Sequence, residues 1–170
     1  MIGVGEKFPD WTLTGVSSAN NIIEVDLGSP NYHWKVIYFY PKDFTFICPT
    51  EIAEMDMLVL DSDAHVIGIS GDNEFCKLAW KKDNRLIRNI NHTLCADTGL
   101  FLSHCLGIVE DSGVCYRATF IVDPEGTIQH VSCNALDTGR NAHEVARTLK
   151  ALQSGGLTGC AWEEGEEFVA

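Results

Sequence analysis

The sequence predicts an α/β fold with a mixed central sheet, and three patterns along the chain support this. The runs Lys35 to Tyr40 and His65 to Ser70 are continuous and rich in β-branched or aromatic residues, which is typical of strands buried on both faces. A helical pattern follows each run, and such β-α-β-α segments usually form parallel strands. By contrast, residues 115–122 and 127–131 flank the turn sequence Asp123-Pro124-Glu125-Gly126, which predicts an antiparallel hairpin.

The two ends of the chain add a hairpin and a tail to this sheet. Trp11 to Thr14 and Ile22 to Val25 predict an N-terminal hairpin, and residues 141–153 predict an amphipathic helix. The last residues combine glycines with four glutamates, so we expect a mobile tail. The elements together predict a thioredoxin-like α/β sandwich over residues 1–155, followed by a C-terminal tail over residues 156–170.

Composition and charge narrow the class of function. A chain of 170 residues, 45% hydrophobic and 21% charged, suits one globular core. The formal net charge of −12 argues against binding the phosphate backbone of a nucleic acid. The sequence contains neither a signal peptide pattern nor an apolar stretch of membrane length, so we expect a cytoplasmic protein without a membrane partner.

The seven cysteines do not fit a disulfide scaffold or a metal site. Their number is odd, no C-x-x-C occurs, and neither metal nor prosthetic group is implied. Free cysteines usually behave as small buried hydrophobes, so most are expected to be structural. The cysteines in this expected structural set are Cys76, Cys95, Cys105, Cys115 and Cys133. Cys48 and Cys160 remain, and their context has to decide whether they are reactive.

Cys48 lies where a helix is expected to begin. Pro49 suits the first position of a helix, and an apolar stripe at helical spacing follows at Ile52, Met55, Val59 and Leu60. A thiol attacks only as the thiolate, and the N–H groups at a helix N-terminus favour an anion. Ionisation alone gains at most about thirtyfold, so a fast reaction also needs donors for the charge that develops on the substrate. Arginine and threonine can supply them.

The segment Pro41 to Glu51, P-K-D-F-T-F-I-C-P-T-E, resembles the peroxiredoxin pattern P-x-x-x-T-x-x-C. Its F-T-F-x-C-P-T-E form is similar to typical two-cysteine peroxiredoxins and to bacterial, actinobacterial-type alkyl hydroperoxide reductase C. The resemblance extends from Gly5 to Trp162. It implies that Cys48 is the peroxidatic cysteine, that Thr45 is its hydrogen-bonding partner, accepting from the peroxide and donating to the sulfur, and that Pro41 shields the sulfur from water.

The same resemblance implies three charged site residues. Arg117, in R-A-T-F-I-V-D-P, matches the arginine of the peroxiredoxin active site, while Glu51 and Arg140 match the pair that orients it. Each also has an ordinary interpretation: Arg117 as a charge at the end of a strand, and Glu51 with Arg140 as a surface ion pair.

Oxidation of Cys48 to a sulfenic acid calls for a second thiol. The spacing T-x-x-C at Thr45 excludes exchange of the C-x-x-C type, so that thiol must lie elsewhere or be external. The resemblance implies a cysteine in the tail of a partner subunit, four residues before a tryptophan, but Thr158 holds that position here. Cys160 lies two residues before Trp162, and we predict that it resolves Cys48 across a dimer interface. An incidental tail thiol is the alternative.

The resemblance implies a thiol-dependent peroxidase that reduces hydrogen peroxide and organic hydroperoxides. Its disulfide would be reduced by a thioredoxin, a flavoprotein disulfide reductase or a small dithiol protein, and dimers are expected to assemble into a ring. The Gly-Gly-Leu-Gly and Tyr-Phe features that make relatives sensitive to overoxidation do not occur in the sequence, so resistance is expected. The alternatives are a one-cysteine peroxidase that uses an external thiol, and a non-enzymatic redox-sensing or holdase oligomer.

Overall fold

The structure is a computed structural model that describes residues 1–170 apart from the side chain of Asp61. The strands are β1 (Thr12–Val16), β2 (Ile22–Asp26), β3 (Lys35–Phe39), β4 (His65–Ser70), β5 (Thr93–Ala96), β6 (Arg117–Val122) and β7 (Ile128–Asn134). The helices are α1 (Cys48–Met55), α2 (Met57–Asp61), α3 (Glu74–Asp83), α4 (Phe101–Leu106) and α5 (Ala142–Ser154). Within the described part of the chain, no helix is both long and apolar enough to cross a membrane.

The seven strands form one mixed sheet in the order β2-β1-β5-β4-β3-β6-β7. Strands β3, β4 and β5 are parallel, whereas β1 with β2 and β6 with β7 are antiparallel hairpins. Strand β6 also runs antiparallel to β3, so the start of β6 lies beside the end of β3. The predicted mixed sheet and its added N-terminal hairpin are therefore confirmed.

Strand β3 lies at the centre of two hydrophobic cores. Val36 and Tyr38 point into the core that also holds side chains of α1, α3 and α5. Ile37 and Phe39 alternate with them and point into the core on the other face, which includes α4. Burial of each large apolar side chain contributes about 1.5–3 kcal/mol. The predicted double-sided burial is confirmed, and it fixes the end of β3 as a rigid starting point for the segment that leads to Cys48.

Two short elements, β5 and α4, have no counterpart in the sequence prediction, whereas the helix predicted from Pro49 to Leu60 is divided at Asp56 into α1 and α2. Elements β5 and α4 span only four and six residues. Such a length covers about one helical turn or two alternations of a strand, so periodicity carries little information. Helix α4 is bounded by two residues with positive φ, Leu100 at 58° and Gly107 at 71°.

The expectation of burial is wrong for two of the five structural cysteines. Cys95 and Cys115 are buried and Cys76 is half-buried, but Cys105 and Cys133 are exposed. The exposure of Cys105 follows from its place on the outward face of α4, whose inward face is formed by leucines. Cys133 lies on the edge strand β7, which has a neighbouring strand on one side only.

The tail packs on α5, although it contains no helix or strand in the described chain. Trp162 is only 5% exposed, its indole Nε1 donates to the Glu166 carbonyl, and its ring stacks on Phe168 with centroids 5.9 Å apart. From α5, Arg147 Nη1 donates to the Trp162 carbonyl at 2.9 Å, and Lys150 pairs with Glu164 at 2.7 Å. Mobility of the tail and its separation from the domain stay predictions. The structure describes the tail in its position packed on α5.

Candidate active site

Cys48 is the first residue of α1 and is 1% exposed. Pro49 occupies the first turn, where a missing N–H costs no intrahelical hydrogen bond. Glu51 follows one turn later and is therefore on the same side of the helix as Cys48. The sulfur and the carboxylate thus both face the sheet, towards the start of β6.

Arg117, the first residue of β6, contacts both of these groups. Its Nη1 lies 3.4 Å from Cys48 Sγ and 2.7 Å from Glu51 Oε2, and its Nε donates to the Leu136 carbonyl at 2.7 Å. Burial lowers the pKa of Arg117, but the hydrogen bond to Cys48 and the charge of Glu51 outweigh it, so the net pKa is raised. The guanidinium is therefore permanently charged and fixed against the sulfur.

Arg140 holds the other oxygen of the same carboxylate. Its backbone N and its Nε donate to Glu51 Oε1 at 2.9 and 3.1 Å. Its Nη1 donates to Thr119 Oγ1 at 3.0 Å, its Nη2 to the Phe39 carbonyl, and its guanidinium carbon lies 5.0 Å from the centroid of the Tyr38 ring. The Glu51 and Arg140 side chains are 2% and 4% exposed, so the interpretation as a surface ion pair is wrong.

The cluster surrounds the Cys48 sulfur with paired charges. Arg117, Glu51 and Arg140 together carry one net positive charge in a buried site. Buried charges are tolerated only when they are paired and hydrogen-bonded, and removal of one partner typically costs about 3–5 kcal/mol. Each member of the cluster therefore depends on the others.

Thr45 and Pro41 belong to the active-site loop, defined here as residues 41–47 between β3 and α1. The Thr45 hydroxyl donates to the Lys42 carbonyl at 2.7 Å. Its proton is therefore committed to the backbone and not, as the sequence led us to expect, to the sulfur of Cys48; the lone pairs of the oxygen remain as acceptors. Pro41 borders a surface cleft of about 370 Å³ formed by the loops that follow β3, β4 and β5 and by residues 112–114.

The model of the AhpC/TSA family matches residues 4–131, well over half of the chain. The chain belongs to the AhpC/TSA family. Alkyl hydroperoxide reductase C of Mycolicibacterium smegmatis is 38% identical over 99% of this chain and 94% of its own length. A putative peroxiredoxin of Bacillus subtilis, YkuU, is 37% identical over 98% of this chain and 97% of its own length.

Solved structures agree with this assignment. The reduced 2-Cys peroxiredoxin of Plasmodium vivax superimposes with a TM-score of 0.91 at 31% identity, covering 98% of this chain and 92% of that one. AhpC of Mycobacterium tuberculosis gives a TM-score of 0.85 at 35% identity, covering 95% and 97%. The resemblance and the thioredoxin-like fold predicted from the sequence are therefore confirmed for this member of the AhpC/TSA family.

Cys160 lies apart from the buried cluster, on the exposed tail. Both Cys48 and Cys160 are free thiols, as are the other five cysteines. Cys160 is near Arg147, whose pKa is raised mainly by its hydrogen bonds to Glu144 and to a lesser extent by Cys160. Whether this AhpC/TSA protein uses Cys160 to resolve Cys48 stays a prediction.

Sequence reasoning missed a second buried polar cluster, directly beneath the active-site loop. Lys77 of α3 is fully buried and pairs with Asp43 of the loop, with Ser70 and Tyr40 as further partners. One signal was present in the sequence: Lys77 shares a helical face with Trp80, a large aromatic residue of the kind that is usually buried. A lysine on such a face indicates a buried charge with a partner.

Proposed function

We propose that Cys48 is the peroxidatic cysteine of a thiol-dependent peroxidase, with Arg117 as the donor that stabilises the charge moving onto the peroxide. Peroxidase activity is the function named for the relatives in its family, alkyl hydroperoxide reductase and peroxiredoxin. The observation that carries the assignment of residues is the double contact of Arg117 Nη1 with Cys48 Sγ and Glu51 Oε2.

In the proposed first step the Cys48 thiolate attacks one oxygen of a hydroperoxide. The S–O bond forms as the O–O bond breaks, the sulfur is oxidised to a sulfenic acid, and the alkoxide or hydroxide takes a proton to leave as alcohol or water. Charge develops on the leaving oxygen in the transition state, and a fixed guanidinium stabilises it without having to reorganise. Glu51 and Arg140 act through Arg117 by holding its orientation.

Thr45 and Pro41 are proposed to complete the reaction chamber. Because the Thr45 hydroxyl donates to the Lys42 carbonyl, the lone pairs of its oxygen are available to accept a hydrogen bond from the O–H group of the peroxide. This acceptance selects the protonated hydroperoxide and fixes its orientation towards the sulfur. Pro41, without an N–H group, presents an apolar edge that limits access of water.

The second proposed step is resolution by Cys160 of another copy of the chain. The Cys160 thiol attacks the sulfenic sulfur, water leaves, and an intersubunit disulfide forms. Cys48 is buried, and a disulfide requires Cα atoms about 4.4–6.8 Å apart, so the start of α1 must move to bring the sulfur within reach of Cys160. A cytoplasmic dithiol protein would then reduce the disulfide. This reductant is a thioredoxin-like protein, a flavoprotein disulfide reductase or a small dithiol protein. The dimers would assemble further into a ring.

One equivalent of hydrogen peroxide added to the fully reduced protein tests both steps. Peptide mass spectrometry under non-reducing conditions should find Cys48 linked to Cys160 between chains. The Cys160→Ser variant should lose this link, whereas Cys105→Ser, which removes another exposed thiol, should keep it. A Cys48 thiol that stays reduced while other cysteines react would contradict the assignment of the nucleophile.

The same Cys160→Ser protein separates two mechanisms. If it forms a Cys48-containing intersubunit disulfide at the wild-type rate, Cys160 is not the resolving cysteine. If it turns over peroxide repeatedly with a small external thiol at the wild-type rate, the one-cysteine mechanism replaces the two-cysteine one. Turnover of many equivalents of peroxide per chain distinguishes either enzyme from a stoichiometric sensor.

A further inference from the structure

We propose that Lys77 is a positioning residue for the reaction of Cys48, acting through Asp43. The ion pair between them holds the conformation of the active-site loop, residues 41–47, which leads directly into Cys48. This inference rests on the proposed role of Cys48. It assigns a function to a buried charge pair that the chemistry at the sulfur does not itself use.

Lys77 and Asp43 form a fully buried ion pair. Their side chains are both 0% exposed, and Lys77 Nζ lies 3.3 Å from Asp43 Oδ1. Ser70 Oγ joins them, because it accepts from Lys77 Nζ at 2.6 Å and donates to Asp43 Oδ1 at 2.9 Å. A charge buried without a partner is strongly unfavourable, so each of these two charges fixes the position of the other.

The ammonium group also connects three elements of the fold. Besides Ser70 at the end of β4, Lys77 Nζ donates to the Tyr40 hydroxyl at 3.2 Å, just after β3, and lies 5.2 Å from the centroid of the Tyr40 ring. An ammonium has three donors, and Ser70, Asp43 and Tyr40 account for all of them. Helix α3 is thereby joined to the ends of two central strands and to the loop that follows one of them.

The conformation of the loop shows why it needs an anchor. Phe44, the residue after Asp43, has φ of +55°, in the left-handed region that a bulky side chain rarely adopts. Such a residue persists only where the surroundings determine its backbone. The Phe44 side chain is itself more than half exposed, with its ring 6.0 Å from that of Trp80, so its own packing does not supply this constraint.

Contacts on both sides of Phe44 supply the constraint on its backbone. On one side the Asp43 carboxylate binds Lys77, and the Asp43 N–H donates to Asp72 Oδ2 at 2.8 Å. On the other side the Thr45 hydroxyl donates to the Lys42 carbonyl. Loss of the Lys77 charge leaves the Asp43 carboxylate buried without a cation, so Asp43 turns towards water and the left-handed residue relaxes. Thr45, which belongs to the same loop, then shifts relative to Cys48.

This arrangement predicts a separation of two reactions at Cys48. The hydroperoxide needs the loop to orient it, whereas iodoacetamide needs only an accessible thiolate. Among the described contacts of Lys77, none reaches Cys48, Arg117 or Glu51. Displacement of the loop should therefore slow the peroxide reaction without slowing alkylation.

The test compares Lys77→Met with Lys82→Met, the same substitution on the exposed face of the same helix. The second-order rate constant for hydrogen peroxide is measured by rapid mixing, and alkylation of Cys48 by iodoacetamide is followed by mass spectrometry. Lys77→Met should lose roughly ten- to hundredfold in the peroxide reaction, as expected for a misplaced reactant, while its alkylation rate does not fall. Lys82→Met should match the wild type in both.

Ser70→Ala is a milder variant that keeps the charges of both Lys77 and Asp43. It tests the positioning role if Lys77→Met does not fold. It should show a peroxide rate a few-fold lower with alkylation undiminished. Wild-type peroxide rates in both variants, or an equal fall of both reactions, would overturn the positioning role. Failure of wild-type Cys48 to react with peroxide at all would instead overturn the proposed function.

Discussion

The surroundings of Cys48 and Cys160 differ in nearly every physical property. Cys48 lies at the start of a helix among paired charges, and the carboxylate of Glu51 is shared between Arg117 and Arg140. Cys160 lies on an exposed tail without helix or strand. That tail is held to α5 by Trp162 and by surface ion pairs such as Lys150 with Glu164.

This difference fits the different tasks proposed for the two thiols. Stabilisation of a transition state needs dipoles and charges that do not reorganise, and burial provides this rigidity. A resolving thiol has to travel to another subunit, so its attachment must break at small cost. Exposed ion pairs contribute only about 0–1 kcal/mol, whereas breaking a buried network costs several times more.

The largest effect is expected from removal of the charge that touches the Cys48 sulfur. Arg117→Met should lower the rate constant for hydrogen peroxide by about 10²–10³, the usual loss when a transition-state donor is removed. Stopped-flow measurement of the peroxide reaction checks this value. Arg88→Met, on an exposed site, serves as the control and should react as the wild type does. A loss below threefold in Arg117→Met would show that the buried cluster is structural only.

An intermediate effect is expected from His92, which lies behind the buried cluster of Cys48, Arg117, Glu51 and Arg140. Lowering the pH should reduce the free energy of unfolding through this residue. His92 Nδ1 contacts Asp56 at 2.6 Å, and its Nε2 contacts the Tyr38 hydroxyl at 2.7 Å, beneath the ring that supports Arg140. Burial lowers the pKa of His92 from 6.5 despite the opposing effect of Asp56. The unfolded chain therefore takes up this proton first, and stability is lost as the pH falls through 6.5 towards the folded pKa.

Chemical denaturation of the wild type between pH 7 and pH 5 should show this loss, and His92→Gln should show a flatter dependence. At pH 7 the variant should be about 1–3 kcal/mol less stable, because buried partners lose hydrogen bonds. His104→Gln, on an exposed site, should keep the wild-type dependence. Parallel curves for wild type and His92→Gln would exclude His92 as the source.

The smallest effect is expected on the tail. Glu164→Gln removes the charge that pairs with Lys150, and both side chains are substantially exposed. The free energy of unfolding should change by no more than about 0.5 kcal/mol. The rate at which the Cys48–Cys160 disulfide forms should stay equal or rise slightly, as non-reducing electrophoresis after a peroxide pulse would show. A clear fall in that rate would mean that the seated tail is itself the reactive form.

The two regions also differ in how well the sequence predicted them. The residues of the buried cluster were named in advance from the family resemblance, because Cys48 and Glu51 belong to its long motif and Arg117 and Arg140 match its charged site residues. The packing of the tail on α5 was not predicted, because glycines and glutamates carry no periodic signal. Trp162 is held by Arg147, a residue of α5. The exposure of Cys105 and Cys133 was also missed, because burial depends on which faces are covered.

The sequence by itself determined the double-sided strand β3, the hairpins, the helix start at Cys48 and the family. These are local properties, set by a period of two or 3.6 residues or by a motif within eleven consecutive positions. Only the tertiary structure decided that Lys77 pairs with Asp43, that Arg140 lies over Tyr38, and that the Thr45 proton is committed to Lys42. Hydrogen bonds and charge pairs have direction and short range, so the folded chain alone decides which groups meet.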